Sequence, residues 1–302
     1  MKKTPHTITG LGEVLWDIYP EARFMGGAPA NAAVHASQLG ARAAVVSAVG
    51  CDRDGDQLVQ ALAGRDIDTS GIQRACGYDT GSVHIRLNDA GTPSFVCSND
   101  TAFDHMQQDS LNAAALNTDA VITGTLAQRN AESEEFIQSF LDNSRLSLIV
   151  YDANFRDIDP KTVSIVNRTA QKAGILKINE HEAAAMQTMY NKEHLSLPEL
   201  ARFLTDHFSL LYTAVTMGAQ GAFITDGTRT VSGRALDIAV VDTTGCGDAF
   251  TAAMAITVLE NKTLEEIIDF SLIVSAYTAT RKGAVPLYTL DDIAAFADSS
   301  PR

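Results

Sequence analysis

Short apolar runs alternate with helical patterns along most of the chain. Runs at Thr7–Gly12, Ala43–Val49, Ala120–Gly124, Ser147–Asp152, Ile175–Ile178, Leu211–Thr216 and Ala222–Thr225 have the length and composition of strands. Helical spacing fills the gaps between many of them, as at Ala30–Leu39, Ala131–Leu141 and Leu200–Phe208. That alternation predicts a mostly parallel sheet with helices on both faces. Ser196-Leu-Pro-Glu199 and Thr263-Leu-Glu-Glu266 read as capping boxes that open two further helices.

One segment breaks the rhythm. From Thr80 to Val96 the chain alternates through Val83, Ile85 and Leu87, turns at Asn88-Asp-Ala-Gly91, and returns through Phe95 and Val96. Period-2 alternation around an Asp/Gly turn predicts a β-hairpin. Leu15–Phe24 can also be extended. Two separate β segments inside an α/β chain suggest a small sheet that covers a site or pairs with another subunit.

The composition narrows the class. The chain has 302 residues, of which 45% are apolar and 20% charged, enough for a substantial core and too apolar for disorder. Its formal charge is −14, with 23 Lys and Arg against 37 Asp and Glu, and no basic block. That argues against a nucleic-acid protein, whose affinity rests on basic contacts to phosphate. His207–Thr225 is the longest uncharged run, and Gly218 and polar residues interrupt it, so no membrane span is expected. The opening Met-Lys-Lys-Thr-Pro-His lacks a following apolar stretch and reads as no secretory signal. The four cysteines, Cys51, Cys76, Cys97 and Cys246, form no CxxC pair or zinc pattern, so a reduced, cytoplasmic protein is expected.

Two loops carry candidate chemistry. In Asp242-Thr-Thr-Gly-Cys-Gly-Asp-Ala-Phe250, a β-type run at Ala239–Asp242 leads through small residues into an apolar helix ending at Leu259. Gly245, Cys246 and Gly247 leave backbone N–H groups open at the helix start, where the dipole also favours an anion. Asp248 lies in the first turn and reads equally as a base and as a helix cap, roles that do not exclude each other. Gly26-Gly-Ala-Pro-Ala-Asn31 likewise enters a helix. Its small residues let a ligand approach the backbone, and Asn31 offers donor and acceptor groups suited to hydroxyls. Asp152, Asn154 and Arg156 alternate at a strand end and share a face if the strand continues. No Gly-Lys-Ser/Thr loop, complete dinucleotide fingerprint or zinc-helix pattern occurs.

Together, GGAPAN near residue 30 and DTTGCGDAF near residue 245 resemble the two signatures of the ribokinase-like (PfkB) carbohydrate kinases, over essentially the whole chain. Gly12-Glu-Val-Leu-Trp-Asp17, Gly124-Thr-Leu-Ala-Gln-Arg129 and Asp152-Ala-Asn-Phe-Arg156 resemble the fructokinase branch. The resemblance implies one domain over 1–302, a three-layer α/β/α fold with a mostly parallel sheet, and a β lid from about 14–25 and 78–98. It implies transfer of the ATP γ-phosphate to a sugar's primary hydroxyl, with D-fructose the leading substrate. Another ketose, a keto-deoxy sugar acid, or an inactive sugar-binding regulator are the alternatives. An acidic substrate needs basic groups near the lid, where Arg86 is the evident one.

The resemblance also assigns residues. Asp17, Gly27, Asn31 and Arg156 face the sugar, Asp248 is the base, and Gly245–Gly247 form the anion hole. Asn179 and Glu182 support Mg2+ and the phosphates through water. Thr216, Gly218 and Gly221 line the nucleotide loop, and a K+ site lies near Asp242, Thr244 and the loop 281–286. Cys246 departs from the family's usual alanine, a small change with which activity should survive. A homodimer through the lid sheets is expected, because exposed sheet edges invite pairing.

Overall fold

The apolar runs pair in parallel at the centre of the molecule. The structure is a computed structural model and describes residues 5–87, 93–108, 117–143, 147–155 and 158–299. In chain order the first strands are β1 (Thr7–Leu11), β2 (Leu15–Ile18), β3 (Arg23–Gly26), β4 (Arg42–Val49), β5 (Ile67–Arg74), β6 (Ser82–Leu87) and β7 (Pro93–Cys97). They are followed by β8 (Ala120–Thr123), β9 (Leu148–Asp152), β10 (Ile175–Asn179), β11 (Tyr212–Thr216), β12 (Ala222–Thr225) and β13 (Thr230–Gly233). The main sheet has the order β13-β12-β11-β10-β9-β8-β1-β4-β5, parallel from β11 to β5, with β12 and β13 antiparallel at one edge. Every residue of β8 and β9 is buried, as a parallel sheet covered on both faces requires.

The helices divide between the two faces. They are α1 (Ala28–Gln38), α2 (Arg53–Ala63), α3 (Ala131–Asn143), α4 (Pro160–Ala170), α5 (Glu180–Met189), α6 (Leu197–Phe208), α7 (Cys246–Leu259), α8 (Leu264–Ala279) and α9 (Leu290–Ser299). Phe136 and Phe140 of α3, Val166 of α4, Met186 of α5 and Leu204 of α6 build one core layer. The other layer carries α1, α7, α8 and α9, with Phe250, Met254, Ile267 and Val274 at its centre. Ala32, Ala33 and Ala36 of α1 and Ala249, Ala252 and Ala253 of α7 are all buried. Small side chains on both helices let their axes pack closely, which brings their N-termini together. The two expected capping boxes form: Ser196 N–H donates to Glu199 (2.8 Å), and Thr263 N–H donates to Glu266 (2.8 Å).

A separate sheet has the order β3-β2-β6-β7. The expected hairpin forms, with Val83 opposite Cys97 across β6 and β7; its turn lies outside the described residues. β6 then pairs in parallel with β2, setting Ser82, Val83 and His84 beside Trp16, Asp17 and Ile18.

Two expectations are corrected, and one strand has no counterpart among them. Residues 239–242 form no strand: Val240 and Val241 are exposed, and the N–H groups of Val241 and Asp242 both donate to Ala279 O. These N–H groups are taken by the C-terminal end of α8 and not by a strand. β5 was not legible, because Asp68, Ser70 and Arg74 give it too few apolar positions; it is an edge strand held by β4. The expectation of fully reduced cysteines also fails, since Cys51 and Cys76 form a disulfide with Cα atoms 5.0 Å apart, within the usual span. They follow the ends of adjacent strands β4 and β5, a proximity that a 25-residue separation does not reveal. Among the described residues, no helix is long and apolar enough to cross a membrane.

Candidate active site

The N-termini of α1 and α7 meet beside the carboxyl ends of the parallel strands, where open α/β sheets place their ligands. Asn31 of α1 is buried, and its Nδ2 donates to Asp248 Oδ2 on α7 (2.9 Å). Asn31 Oδ1 is buried and has no partner. Asp248 is half-buried. Burial first, then the neighbouring Asp152 and Asp17 carboxylates, push its carboxyl up to about 7, against the opposing pull of Asn31 and Lys177.

Two glycines shape the approach from the small sheet. A Cβ at Gly26 would lie 2.4 Å from Asp17 Oδ2, so glycine is what lets the Asp17 carboxylate sit there. Gly27 has φ +104°, and a Cβ there would strike Glu13 O at 2.3 Å. The sequence reading named Gly27 and missed the part played by Gly26.

At the start of α7, Gly245 has φ +76° and lies against Ala284, where a Cβ would meet Ala284 O at 2.1 Å. Cys246 N–H donates back to Thr243 O (3.3 Å). The N–H groups that follow are those a helix leaves without an intrahelical acceptor. The Cys246 thiol points to Asp242 O (3.9 Å), and burial, with Asp242 and Asp248, pushes it up to about 12. It therefore stays a thiol despite the helix N-terminus. Asp242 is a loop tie: Oδ1 accepts from Thr244 N–H (2.9 Å) and Oδ2 from Gly283 N–H (3.0 Å). Burial works to raise its carboxyl, but these N–H bonds hold it below the usual range.

Beneath α7 lies an ion pair that the sequence reading missed. Lys177 is buried on β10, and its Nζ donates to both oxygens of Asp152 on β9 (3.0 and 3.1 Å). Thr251 of α7 completes the network, donating from Oγ1 to Asp152 Oδ2 (2.7 Å). A Cβ at Gly247 would lie 3.0 Å from Lys177 Nζ, so the ammonium sits directly under the first turn of α7. Burial alone would lower its pKa, but Asp152, Glu182 and Asp248 hold it above the usual lysine value.

Asn179 and Glu182 cap α5 reciprocally. Glu182 N–H donates to Asn179 Oδ1 (2.9 Å), and Asn179 N–H donates to Glu182 Oε2 (2.8 Å). Burial pushes the Glu182 carboxyl up to about 7 against the pull of Lys177. Across the sheet Thr216 pairs with Asn179 and leads into a tight turn, where Met217 N–H donates to Gly221 O (2.8 Å). A Cβ at Gly221 would strike Gly233 O at 2.1 Å, whereas Gly218, at φ +53°, opens onto free space. Among the described residues, no group of three His, Cys, Asp or Glu is arranged to hold a metal.

The strand-end trio does not stay together. β9 ends at Asp152, which is buried, while Asn154 takes φ +39° and is exposed. Arg156 lies outside the described residues. A different arginine stands near the site: Arg129 donates from Nε and Nη2 to Asp104 (2.7 and 2.6 Å) and from Nη2 to Ser98 O (2.6 Å). Glu13 was also missed. It is 2% exposed; Oε1 accepts from Ala28 N–H (3.2 Å), and Oε2 is buried without a partner. Burial pushes it up to about 7, with Asp248 contributing. Lys177 had no sequence signal beyond its own charge in an apolar context, and Glu13 lies within Gly12–Asp17, where only Asp17 was assigned a role.

The pfkB family carbohydrate kinase model matches residues 22–289. An uncharacterized sugar kinase of Pyrococcus horikoshii, solved in complex with ATP, superposes with a TM-score of 0.81 at 26% identity, covering 96% of this chain and 99% of that one. Fructokinase-1 of Oryza sativa subsp. japonica is 26% identical over 92% of this chain and 93% of its own length. The ATP-bound fructokinase of Xylella fastidiosa, at 22% identity, has the same ribokinase-like fold with a TM-score of 0.85 over 97% and 98% of the two chains.

Two outcomes follow from the buried charges. Lys177→Met strands the Asp152 charge and should cost about 3–5 kcal/mol in urea unfolding; adding Asp152→Asn to it should recover part of the loss. Glu13 has a folded pKa above its unfolded value, so its favourable contribution is complete below pH 4.5 and is lost as pH rises through 7. Glu13→Gln keeps an acceptor for Ala28 N–H and removes that titration. It should raise the melting temperature more at pH 8 than at pH 5.

Proposed function

We propose, for a chain that belongs to the pfkB family of carbohydrate kinases, that it transfers the γ-phosphoryl group of ATP to the primary hydroxyl of D-fructose, giving fructose 6-phosphate. The observation that carries this reading is the Asp248 carboxyl, held by Asn31 at the N-terminus of α7 and facing the Asp17 side of the small sheet. Asp17, the Gly26–Gly27 backbone and Asn31 bind the sugar hydroxyls. The unpartnered Asn31 Oδ1 is an acceptor available for one of them.

Asp248, ionised, orients the hydroxyl and takes its proton as the new O–P bond forms and the bond to the leaving ADP breaks. The N–H groups of Gly245 and Gly247 stabilise charge on the moving group, with the Lys177 ammonium beneath the helix start, while the Cys246 N–H is turned to Thr243 O. Thr216 and the open backbone at Gly218 receive the nucleotide, and Gly221, packed against Gly233, holds the turn that presents them. The donor set of Asn179 and Glu182 is all oxygen, which suits Mg2+ held through water, because their own side chains are engaged with each other. Bound Mg2+ would neutralise phosphate charge. K+ belongs, in this reading, near the loop that Asp242 ties to Gly283. The small sheet closes over the sugar, Arg156 supports the sugar and phosphate side, and a second copy covers the exposed Phe24 and Val96 of that sheet in a cytoplasmic homodimer.

A neutral sugar is favoured over a sugar acid because Arg129, close enough to act on Glu13, is already neutralised by Asp104. The test is ADP release with ATP and Mg2+ on fructose, glucose, mannose, ribose, a keto-deoxy sugar acid and adenosine. Fructose should lead, and Asp248→Asn should lower kcat by about 10²–10⁴ without unfolding the protein. Preference for another sugar would overturn the fructose assignment; full activity in Asp248→Asn would overturn the base. The base works ionised, so kcat/KM should fall as pH drops below about 7 and level off above it.

A further inference from the structure

The disulfide stands at the root of the small sheet. Cys51 and Cys76 are both exposed, whereas the free Cys97 and Cys246 are partly buried. Cys51 adjoins Asp52, the N-cap of α2, whose carboxylate accepts from Gly55 N–H (2.7 Å), Thr80 N–H (2.8 Å) and Thr80 Oγ1 (2.6 Å). Gly50 N–H donates to Thr80 Oγ1 as well (3.0 Å). The disulfide and the Asp52–Thr80 contact therefore tie the same two segments, 50–55 and 76–80, in tandem. β6 begins two residues after Thr80. Gly81 O accepts from Trp16 N–H (3.0 Å), and Val83 pairs with Asp17. Six residues separate Cys76 from Val83, the position beside Asp17.

We propose that Cys51–Cys76 is a reversible redox site, the substrate of a dithiol reductant, and that its state sets how firmly β6 holds Asp17 for the sugar. A thiolate of the dithiol attacks one of the two sulfurs and the Cys51–Cys76 bond breaks. The second thiol of the reductant resolves the mixed disulfide. The pair gains two electrons and two protons, and the reductant leaves as its own disulfide. Exposure makes the bond accessible to such exchange, which structural disulfides in protein interiors are not. Burial pushes the Cys97 and Cys246 thiols up, so neither competes as a nucleophile. The Asp52–Thr80 bonds survive reduction, so the effect is a change of grip and not a loss of the sheet.

The experiment compares full-length enzyme oxidised with glutathione disulfide and reduced with dithiothreitol, alongside Cys51→Ser and Cys76→Ser. Peptide mapping checks the bond, and amide exchange over 77–84 reads the strap without any sugar. Sugar KM reads the link to Asp17, the one arm that rests on the sugar-site reading above. Reduction should speed exchange over 77–84 and raise the sugar KM about threefold or more, with a smaller change in kcat. Both serine variants should sit at the reduced values and ignore the redox state. No bond on oxidation, unchanged exchange, exchange that changes without KM, or serine variants that still respond would each overturn the proposal. If no sugar is turned over at all, the sugar reading fails, and the exchange arm still decides the strap.

Discussion

One buried ammonium ion governs the charge balance of the site. Asp152, Glu182 and Asp248 all lie within the field of Lys177. Three carboxyls gathered around an apolar helix start would repel one another and lose their hydration. Lys177 compensates by binding both oxygens of Asp152, and Thr251 fixes that carboxylate from α7. This ties β9, β10 and α7 at one point. A buried pair of this kind gives modest net stability, because desolvation offsets most of the attraction. Its effect is to fix geometry: Gly247 must stay glycine-sized above the ammonium, and the first turn of α7 keeps its place.

The other half of the arrangement is steric. Asn31 reaches Asp248 because α1 and α7 present alanines to each other and pack closely. Larger side chains at Ala32 or Ala252, which share one core cluster, would separate the axes and lengthen the Asn31–Asp248 contact. The glycines act at the same scale. Gly26 leaves room for the Asp17 carboxylate, and Gly245 leaves room for Ala284. Electrostatics beneath the helices and close packing between them thus act on the same side chain, Asp248, from opposite sides.

Much of this was legible in the sequence. The strand runs and helical spacing gave the parallel sheet, and the two glycine loops marked both helix starts that meet at the site. What escaped has physical reasons. The run at 239–242 has strand composition, but its last two N–H groups go to the end of α8. β5 lacks apolar residues because an edge strand needs few. Asp152 and Asn154 share a face only while a strand continues, and this one stops. Lys177 and Glu13 are ordinary charges on paper; their significance lies in burial, which one-dimensional patterns do not record. Asn179 and Glu182 form a capping box of the same kind as those at Ser196 and Thr263, a local role hidden behind their family assignment. The cysteine pairing depends on two strands lying side by side.

The raised acids bear on how a chain of charge −14 would admit the polyanionic nucleotide of the proposed reaction. Counted as residues, Glu13, Glu182 and Asp248 are three negative charges. Burial pushes each up to about 7, which favours its uncharged form relative to a solvated carboxyl. Lys177 stays charged throughout, since carboxylates outweigh its own desolvation. The local field is therefore far less negative than the residue count suggests. The same burial that lowers the charge raises the Asp248 carboxyl toward the range that the proposed general base would need. Burial beside the fixed Lys177 ammonium thus acts twice in the proposed phosphoryl transfer: it lessens the negative charge a phosphate would meet, and it raises the carboxyl that would take up the hydroxyl proton.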